Sequence, residues 1–293
     1  MSERNWTQPL FSVVVPTCHR NDTLALCLDR LAPGAQTLAF DQYEVIVTDD
    51  GESPTAKDLI RDRYSWARWT QGPRRGPAAN RNHGASLAKG EWLAFTDDDC
   101  VPRPDWLYVL AAHIHDGIDA LEGCVVPTGS LARDLTECPV NLSGGRFWSA
   151  NVAVKAHVFR ELRGFDERFP TAAHEDEDLY VRLLERTEVP FVPDAKVSHP
   201  VRVVGLRSAL ARVRLQSPST ALYYALHDRR LGILRWTTLL RWIYKPRLQS
   251  LAANVIAWKP RSALVEGAWL LIGNPVVLRE YLRLKRSGIG AGT

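Results

Sequence analysis

Gly90-Glu91-Trp92-Leu93-Ala94-Phe95-Thr96-Asp97-Asp98-Asp99-Cys100-Val101-Pro102 is the stretch whose reading decides the fold. Trp92 to Phe95 is a short apolar run of the kind that forms a buried strand, and three carboxylates follow it directly. A buried strand that ends in acids places them at the carboxyl edge of a sheet, where open α/β folds bind ligands. Three adjacent carboxylates repel one another, so a site that keeps them ionised calls for a cation. Hard oxygen donors at this density suit Mg²⁺ or Mn²⁺ bridging to substrate phosphates. A solvated acidic turn is the plainer reading of Asp-Asp-Asp in isolation, but the chain around it repeats the pattern.

Phe11 to Val15 is a β-rich run stopped by Pro16-Thr17, and Tyr43 to Thr48 is a second strand that ends in Asp49-Asp50-Gly51. Helices are expected over Asn21 to Leu31, Thr55 to Tyr64 and Ala78 to Ala88, with a basic loop at Gly72 to Pro77. Strand and helix alternate four times in about a hundred residues, which predicts a mostly parallel, doubly covered sheet. Beyond it lie a helix at Pro104 to Ile114, a strand at Ser149 to Val154 and a helix at Ala156 to Leu162. An acidic helix at Glu175 to Glu185 follows, then extended pieces at Val189 to Pro193 and Lys196 to His199.

Of the 293 residues, 45% are hydrophobic and 24% charged, which is ordinary for a globular chain. The net charge of +4 hides an asymmetry. Residues 201–293 hold 16 of the 37 basic and 3 of the 33 acidic groups, leaving 21 basic against 30 acidic before them. Such a tail suits an anionic surface. Its charges alternate with leucines and tryptophans, which fits lipid better than nucleic acid. No run reaches the roughly 18–20 apolar residues of a transmembrane helix. Helices lying on a membrane, and a helical cap packed on the first domain, are both open readings. Five cysteines without a Cys-x-x-Cys pair argue against a disulfide framework or structural zinc and for a reducing cytosol. On that reading the sequons at Asn5, Asn21 and Asn141 are chance matches, and Met1 to Gln8 shows no signal-peptide pattern.

Two strands ending in acids, a basic loop and a later acidic helix make a constellation for a nucleotide diphosphate. At this point the sequence resembles the inverting, GT-A fold glycosyltransferases of family 2. Four blocks carry the resemblance over about residues 11–203: Ser12 to Thr17; Val45 to Gly51; Ala79 to Gly84 with Gly90 to Asp99; and Asn151 through Gly164 to Phe169 and Glu175 to Leu179. The resemblance implies a Rossmann-like, mostly parallel sheet flanked by helices. Residues 1–203 would be the GT-A domain, with 1–105 as its nucleotide-binding half and 106–203 as its acceptor half. Residues 204–293 would be a basic amphipathic helical extension.

By the same resemblance Thr17 with Asp50, or with Asp49, holds the nucleotide base, Pro16 belongs to the nucleotide-sugar site, and Arg81 contacts the nucleotide. Asp97 and Asp99 form the family's Asp-x-Asp pair, with Asp97 toward the ribose, Asp98 likewise on the nucleotide-sugar side, and Asp99 on the metal. His199 completes the metal site, and Asn151 lies near the donor sugar. Asp176 is the base that deprotonates the acceptor hydroxyl, with His174 and Glu175 beside it. The donor would be a UDP, GDP or dTDP sugar and the acceptor a glycan or lipid-linked hydroxyl. The enzyme would be cytoplasmic or peripheral on the inner membrane face. The chain departs from the pattern at Cys18 and His19, where an aromatic residue and Asn are common, and at His174, where glycine is common. Two other readings compete. Asp97-x-Asp99-x-Val101 is similar to the nucleophile loop of haloacid-dehalogenase-type phosphatases, although that loop normally opens its domain. A catalytically silent nucleotide-sugar-binding scaffold is the other. No Gly-x-Gly-x-x-Gly or Walker loop occurs.

Overall fold

The computed structural model describes residues 8–233 and 235–289, so the Asn5 sequon and the rest of the stretch before Gln8 lie outside the described residues. The chain divides into two compact units. Unit 1 comprises Met1–Gly129, Cys138–Arg168 and Glu175–Pro200, and unit 2 comprises Ser130–Glu137, Phe169–His174 and Val201–Thr293. The division therefore gives two segments from before residue 200 to the second unit.

The elements run β1 (Phe11–Thr17), α1 (Asn21–Leu31), β2 (Tyr43–Asp49), α2 (Lys57–Arg63), β3 (Arg68–Gln71), α3 (Pro77–Ser86), β4 (Trp92–Phe95), β5 (Val101–Pro102), α4 (Trp106–Ala112) and β6 (Ala120–Thr128). Then come β7 (Thr136–Glu137), β8 (Val152–Lys155), α5 (Ala156–Glu161), α6 (Glu175–Leu184), β9 (Phe191–Pro200), β10 (Arg202–Val203), α7 (Leu206–Leu226), α8 (Trp236–Ile256), α9 (Pro260–Ala268) and α10 (Asn274–Arg286).

In unit 1 one sheet has the order β3-β2-β1-β4-β8-β6-β9-β5. The β3-β2-β1-β4 half is parallel throughout, β8 runs antiparallel to β4 and β6, and β9 runs parallel to β6. Alternation along β1 explains how both faces are covered. Phe11, Val13 and Val15 join a core with α1 and α4, whereas Val14 joins a core with residues of α3, α5 and α6. Trp92, Phe95, Trp106 and Phe147 are wholly buried, and burial of each such side chain contributes roughly 1.5–3 kcal/mol. Helix α3 lies unusually close to the sheet. A Cβ on Gly84 would come within 2.6 Å of Val14 Cγ1 and 3.1 Å of Thr48 Cγ2, so only glycine fits there.

Register then sets the functional edge. Thr17 pairs with Asp49, and Val14 with Phe95, so the acids after β2 and β4 emerge at the same end of the parallel strands. The chain turns after Asp99 into β5, where Val101 pairs antiparallel with Ser198 of β9. That pairing brings His199 back to the aspartates. A register shift between Gly123 and Cys124 lets β9 run as one strand past Pro193, where two pieces were expected from the sequence. Strand β3 was not foreseen; it is a short edge strand of Arg, Trp, Thr and Gln.

In unit 2, β7 and β10 pair antiparallel. Helices α7 to α10 share a core that includes Val213, Ala221, Leu239, Ile243, Trp269, Val277 and Tyr281. A π-helical turn, Trp269–Gly273, links α9 to α10. No helix among the described residues is long and apolar enough to cross a membrane.

Candidate active site

The end of β1 meets the loop after β4 through Asp98. Thr17 donates its hydroxyl to Asp98 Oδ2 at 2.7 Å, and Arg20 donates to Asp98 Oδ1 at 3.1 Å. Burial pushes the Asp98 carboxyl above the ordinary carboxylate range, and Arg20 pulls it partly back. Arg20 also lies 3.7 Å from Asp99 Oδ2. Thus the middle aspartate ties the loop to β1, while Asp97 and Asp99 flank it. Arg20 has no motif of its own; its partner lies 78 residues away.

Ligand atoms of Asp97, Asp99, Cys100 and His199 all lie within 4.8 Å of one another. His199 Nε2 is 3.2 Å from Asp99 Oδ1, and its Nδ1 is 3.0 Å from the carbonyl of Pro200. An imidazole that donates from Nδ1 to that carbonyl turns the Nε2 lone pair toward a carboxylate oxygen. Two electron-rich atoms this close are satisfied by a proton or by a divalent cation, and a backbone-oriented ring is how metal-binding histidines are usually held. Burial pushes the Cys100 thiol well above its usual value, and a soft sulfur donor suits a hard cation less well than the oxygen and imidazole donors beside it. The remaining donors, two carboxylates and an imidazole, fit Mg²⁺ or Mn²⁺.

Arg81 of α3 connects this edge to α6. Its Nη2 is 2.8 Å from Asp97 Oδ1 and its Nη1 is 3.2 Å from Glu175 Oε1. The guanidinium is buried and faces the ring of Phe165 at 5.8 Å. Buried Glu175 opens α6, and half-buried Asp176 follows it. Asp176 accepts from the backbone N–H of Glu177 at 2.9 Å and of Ser149 at 3.3 Å. Burial raises both carboxyls; the Asp176 charge adds to the rise at Glu175, and Glu177 adds to it at Asp176. Asp178 is committed elsewhere, paired with Arg182 at 2.7 Å, and Arg182 also donates to the carbonyls of Leu162 and Gly164.

The remaining positions divide between surface and framework. Asp49 accepts from the N–H groups of Gly51 at 2.8 Å and Ala56 at 2.6 Å, so its carboxylate shapes the loop after β2. Asp50 is half-buried, accepts from Arg74 N–H at 2.9 Å, and is raised by burial. Pro16 lies inside β1, opposite Thr48. Asn151 spends its whole amide on the fold. It donates to the carbonyls of Cys124 at 2.9 Å and Ala195 at 2.8 Å and accepts from Trp106 Nε1 at 2.8 Å. His174 has φ +71°, stacks on Tyr223 with 5.0 Å between ring centres, and places Nε2 3.1 Å from Thr220 Oγ1, all within unit 2.

Two anchors escaped the sequence reading. Asn80 accepts from the Thr48 hydroxyl at 2.7 Å and donates to the Thr48 carbonyl at 3.0 Å, fixing α3 on β2. Buried Glu122 accepts from Asn141 at 2.8 Å, from the N–H groups of Gly145 and Arg146 at 2.7 Å each, and from that of Phe147. The loop that leads to Ser149 is thereby wrapped around one carboxylate.

Comparison with known proteins agrees with this architecture. Residues 12–136 match the family model described as Glycosyl transferase family 2. Validoxylamine A glucosyltransferase of Streptomyces hygroscopicus is 30% identical over 218 residues, covering 60% of this chain and 51% of that protein. Pre-mycofactocin glycosyltransferase of Mycobacterium tuberculosis is 28% identical over 249 residues, covering 77% and 52%. This chain thus spans about half the length of these curated relatives. Among solved structures, mannosyltransferase PcManGT from Pyrobaculum calidifontis, in complex with GDP-Man and Mn²⁺, superposes with a TM-score of 0.54 at 18% identity, covering 98% of this chain and 76% of that one. TarS residues 1–349 from S. aureus, in complex with UDP, gives 0.54 at 18% identity, covering 95% and 91%. The fold is the GT-A glycosyltransferase fold.

Proposed function

We propose that this chain, a GT-A fold whose residues 12–136 match family 2 glycosyltransferases, moves a sugar from a nucleotide-diphosphate donor to an acceptor hydroxyl with inversion. The observation that carries the reading is the bridge Asp97–Arg81–Glu175, which ties the acid-bearing end of β4 to the first turn of α6 that bears Asp176. Asp50 and Thr17 stand at the nucleotide end of the sheet. Asp97, Asp99 and His199 would hold Mg²⁺ or Mn²⁺, which supplies positive charge against the departing diphosphate. The Mn²⁺ and GDP-Man of the Pyrobaculum enzyme and the UDP of TarS support a donor of the UDP or GDP type, with dTDP sugars as the third class.

Asp176 removes the proton from the acceptor hydroxyl while its oxygen bonds to the anomeric carbon. The bond from that carbon to the diphosphate oxygen breaks on the opposite face, so one displacement inverts the centre. Its raised carboxyl makes Asp176 a stronger base once ionised. Glu175 stays on the Arg81 side and orients the helix end, and His174 precedes it on the acceptor side. Residues 1–203 carry this chemistry, 1–105 for the nucleotide and 106–203 for the acceptor. The basic stretch 204–293 serves attachment to a membrane face, near a lipid-linked or nascent glycan.

Thermal shift with UDP, GDP, dTDP and CMP, each with and without Mn²⁺, tests the donor site, because a bound ligand raises the melting temperature by mass action. A Mn²⁺-dependent rise with one nucleotide, absent in Asp99→Ala, is the expected result. No rise with any nucleotide in the wild type would overturn the proposal.

A further inference from the structure

The turn from α8 to α9 is built in an unusual way. Ala257 N–H donates to Ala253 at 2.9 Å, and Lys259 N–H closes back on Asn254 at 2.9 Å. Trp258, between them, has φ +53°. A helix that ends like this ordinarily places glycine at that position, because a Cβ crowds the backbone in the left-handed region. Here the position holds the largest side chain available, and it is 91% exposed. Packing inside the protein therefore does not account for it.

Trp258 is not isolated. Ile256 beside it is 79% exposed, and Val255 also faces solvent. Leu248 and Val255 lie two turns apart on α8; Leu264 on α9 and Leu271 in the π-turn after it are likewise exposed and seven residues apart. The inner side of the same hairpin is apolar too, with Leu239, Ile243 and Trp269 in the core. Apolar residues on both sides are what a helical hairpin shows when one side meets a core and the other a second apolar phase.

Charge identifies that phase. Between residues 235 and 279 the single acid is Glu266, drawn to Arg247 at 3.3 Å, and from a neighbouring segment Asp134 accepts from the N–H groups of Arg261 and Ser262 at 2.9 Å each. Arg235, Arg241, Lys245 and Arg261 are exposed. A face of exposed leucine, isoleucine and tryptophan bordered by cations complements an anionic bilayer, where Trp favours the headgroup boundary. The same cations would repel a second copy of this face.

We propose that the α8–α9 turn is a membrane-insertion tip. Val255, Ile256 and Trp258 enter the boundary region of an anionic phospholipid bilayer, while Arg261 beside them meets headgroup phosphates. The proposal rests on the membrane role given above to 204–293 and names the residues that perform it.

The test is co-sedimentation of the full chain with vesicles of phosphatidylcholine alone and with 30% phosphatidylglycerol (a composition chosen to supply about the charge of an anionic leaflet). The variants are Trp258→Gly and Trp258→Gly with Ile256→Ser, with melting temperatures measured alongside. The wild type should bind the anionic vesicles, less so at high salt. Trp258→Gly should weaken binding about tenfold, and the double variant more, since each large apolar side chain adds roughly that factor. Relief of the left-handed strain means Trp258→Gly should melt no lower than wild type, which separates this from loss of fold. Wild-type binding with no loss in either variant would overturn the tip and leave the broader membrane reading standing. No binding by the wild type would overturn both. A wild-type dimer that Trp258→Gly converts to monomer would assign the face to a second copy instead. The nucleotide thermal shift, read separately, keeps all three results apart from the glycosyl-transfer reading.

Discussion

Arg81 is the residue whose removal should be felt most widely. Its guanidinium is 6% exposed and pairs with two carboxylates, Glu175 with 3% of its side chain exposed and Asp97 with 25%. Arg81→Met keeps most of the apolar volume and deletes the charge. Breaking a buried ion pair by removing one partner costs roughly 3–5 kcal/mol, because the remaining charge has lost its compensation. Asp97 recovers part of its hydration, so most of the loss comes from Glu175, and the lower end of about 3 kcal/mol is expected. At roughly 2–4 °C per kcal/mol for a domain of this size, the melting temperature should fall by about 6–12 °C. The loss should be smaller at pH 5 than at pH 8, because an unpaired Glu175 escapes the cost by binding a proton. Adding Glu175→Gln to Arg81→Met should restore part of the stability, a non-additivity read from urea melts of the four-member cycle. Equal melting of Arg81→Met and wild type at pH 8, or strict additivity in the cycle, would refute the buried bridge.

Other substitutions probe the surrounding framework. Glu122→Gln replaces one acceptor oxygen of a carboxylate that receives four donors with an NH₂ group, leaving at least one backbone N–H of residues 145–147 unsatisfied. It should cost about 2–4 kcal/mol and speed hydrogen exchange in that segment, whereas unchanged exchange would remove Glu122 as its anchor. The raised carboxyls of α6 have a pH consequence of definite sign. The folded state holds the proton on Asp176 to higher pH than the unfolded chain does, so the stability this adds is complete below the ordinary aspartate range. It disappears as pH rises through the folded value, and Asp176→Asn should flatten stability against pH between about 4 and about 6. A wild-type profile as flat as that of the variant would contradict the assignment.

Much of the acid-bearing edge of the sheet could be read in the sequence, and the reasons are local. Strands β1, β2 and β4 are buried on both faces, so they appear as continuous apolar runs whose ends are marked by Pro16-Thr17, Asp49 and Asp97. Strand β3 carries no such mark, because an edge strand of Arg68, Trp69, Thr70 and Gln71 has little apolar pattern. The gathering of Asp97, Asp99 and His199 follows from β5 pairing with β9, a contact that only the long-range register reveals. Polar residues at strand ends are the hardest to read. Asp49 and Asp50 are neighbours in sequence, yet Asp49 binds its own loop while Asp50 stays half-buried at the edge. Asn151 likewise sits in a motif block, but its amide is spent on Trp106, Cys124 and Ala195. Arg20 and Asn80 could not be singled out because their roles arise wholly from partners distant in sequence.

The central claim is that Asp176 acts on the acceptor while the edge formed by Asp50, Asp97, Asp99 and His199 holds the donor. Asp176→Asn preserves shape and removes only the proton acceptor. Once the thermal shift has identified the nucleotide, turnover of the matching donor sugar is measured beside nucleotide affinity for wild type and variant. The account predicts unchanged, Mn²⁺-dependent nucleotide affinity and a kcat lower by about 10²–10⁴-fold, the usual contribution of a positioned base. Turnover of Asp176→Asn equal to wild type, with the nucleotide bound as before, would contradict it.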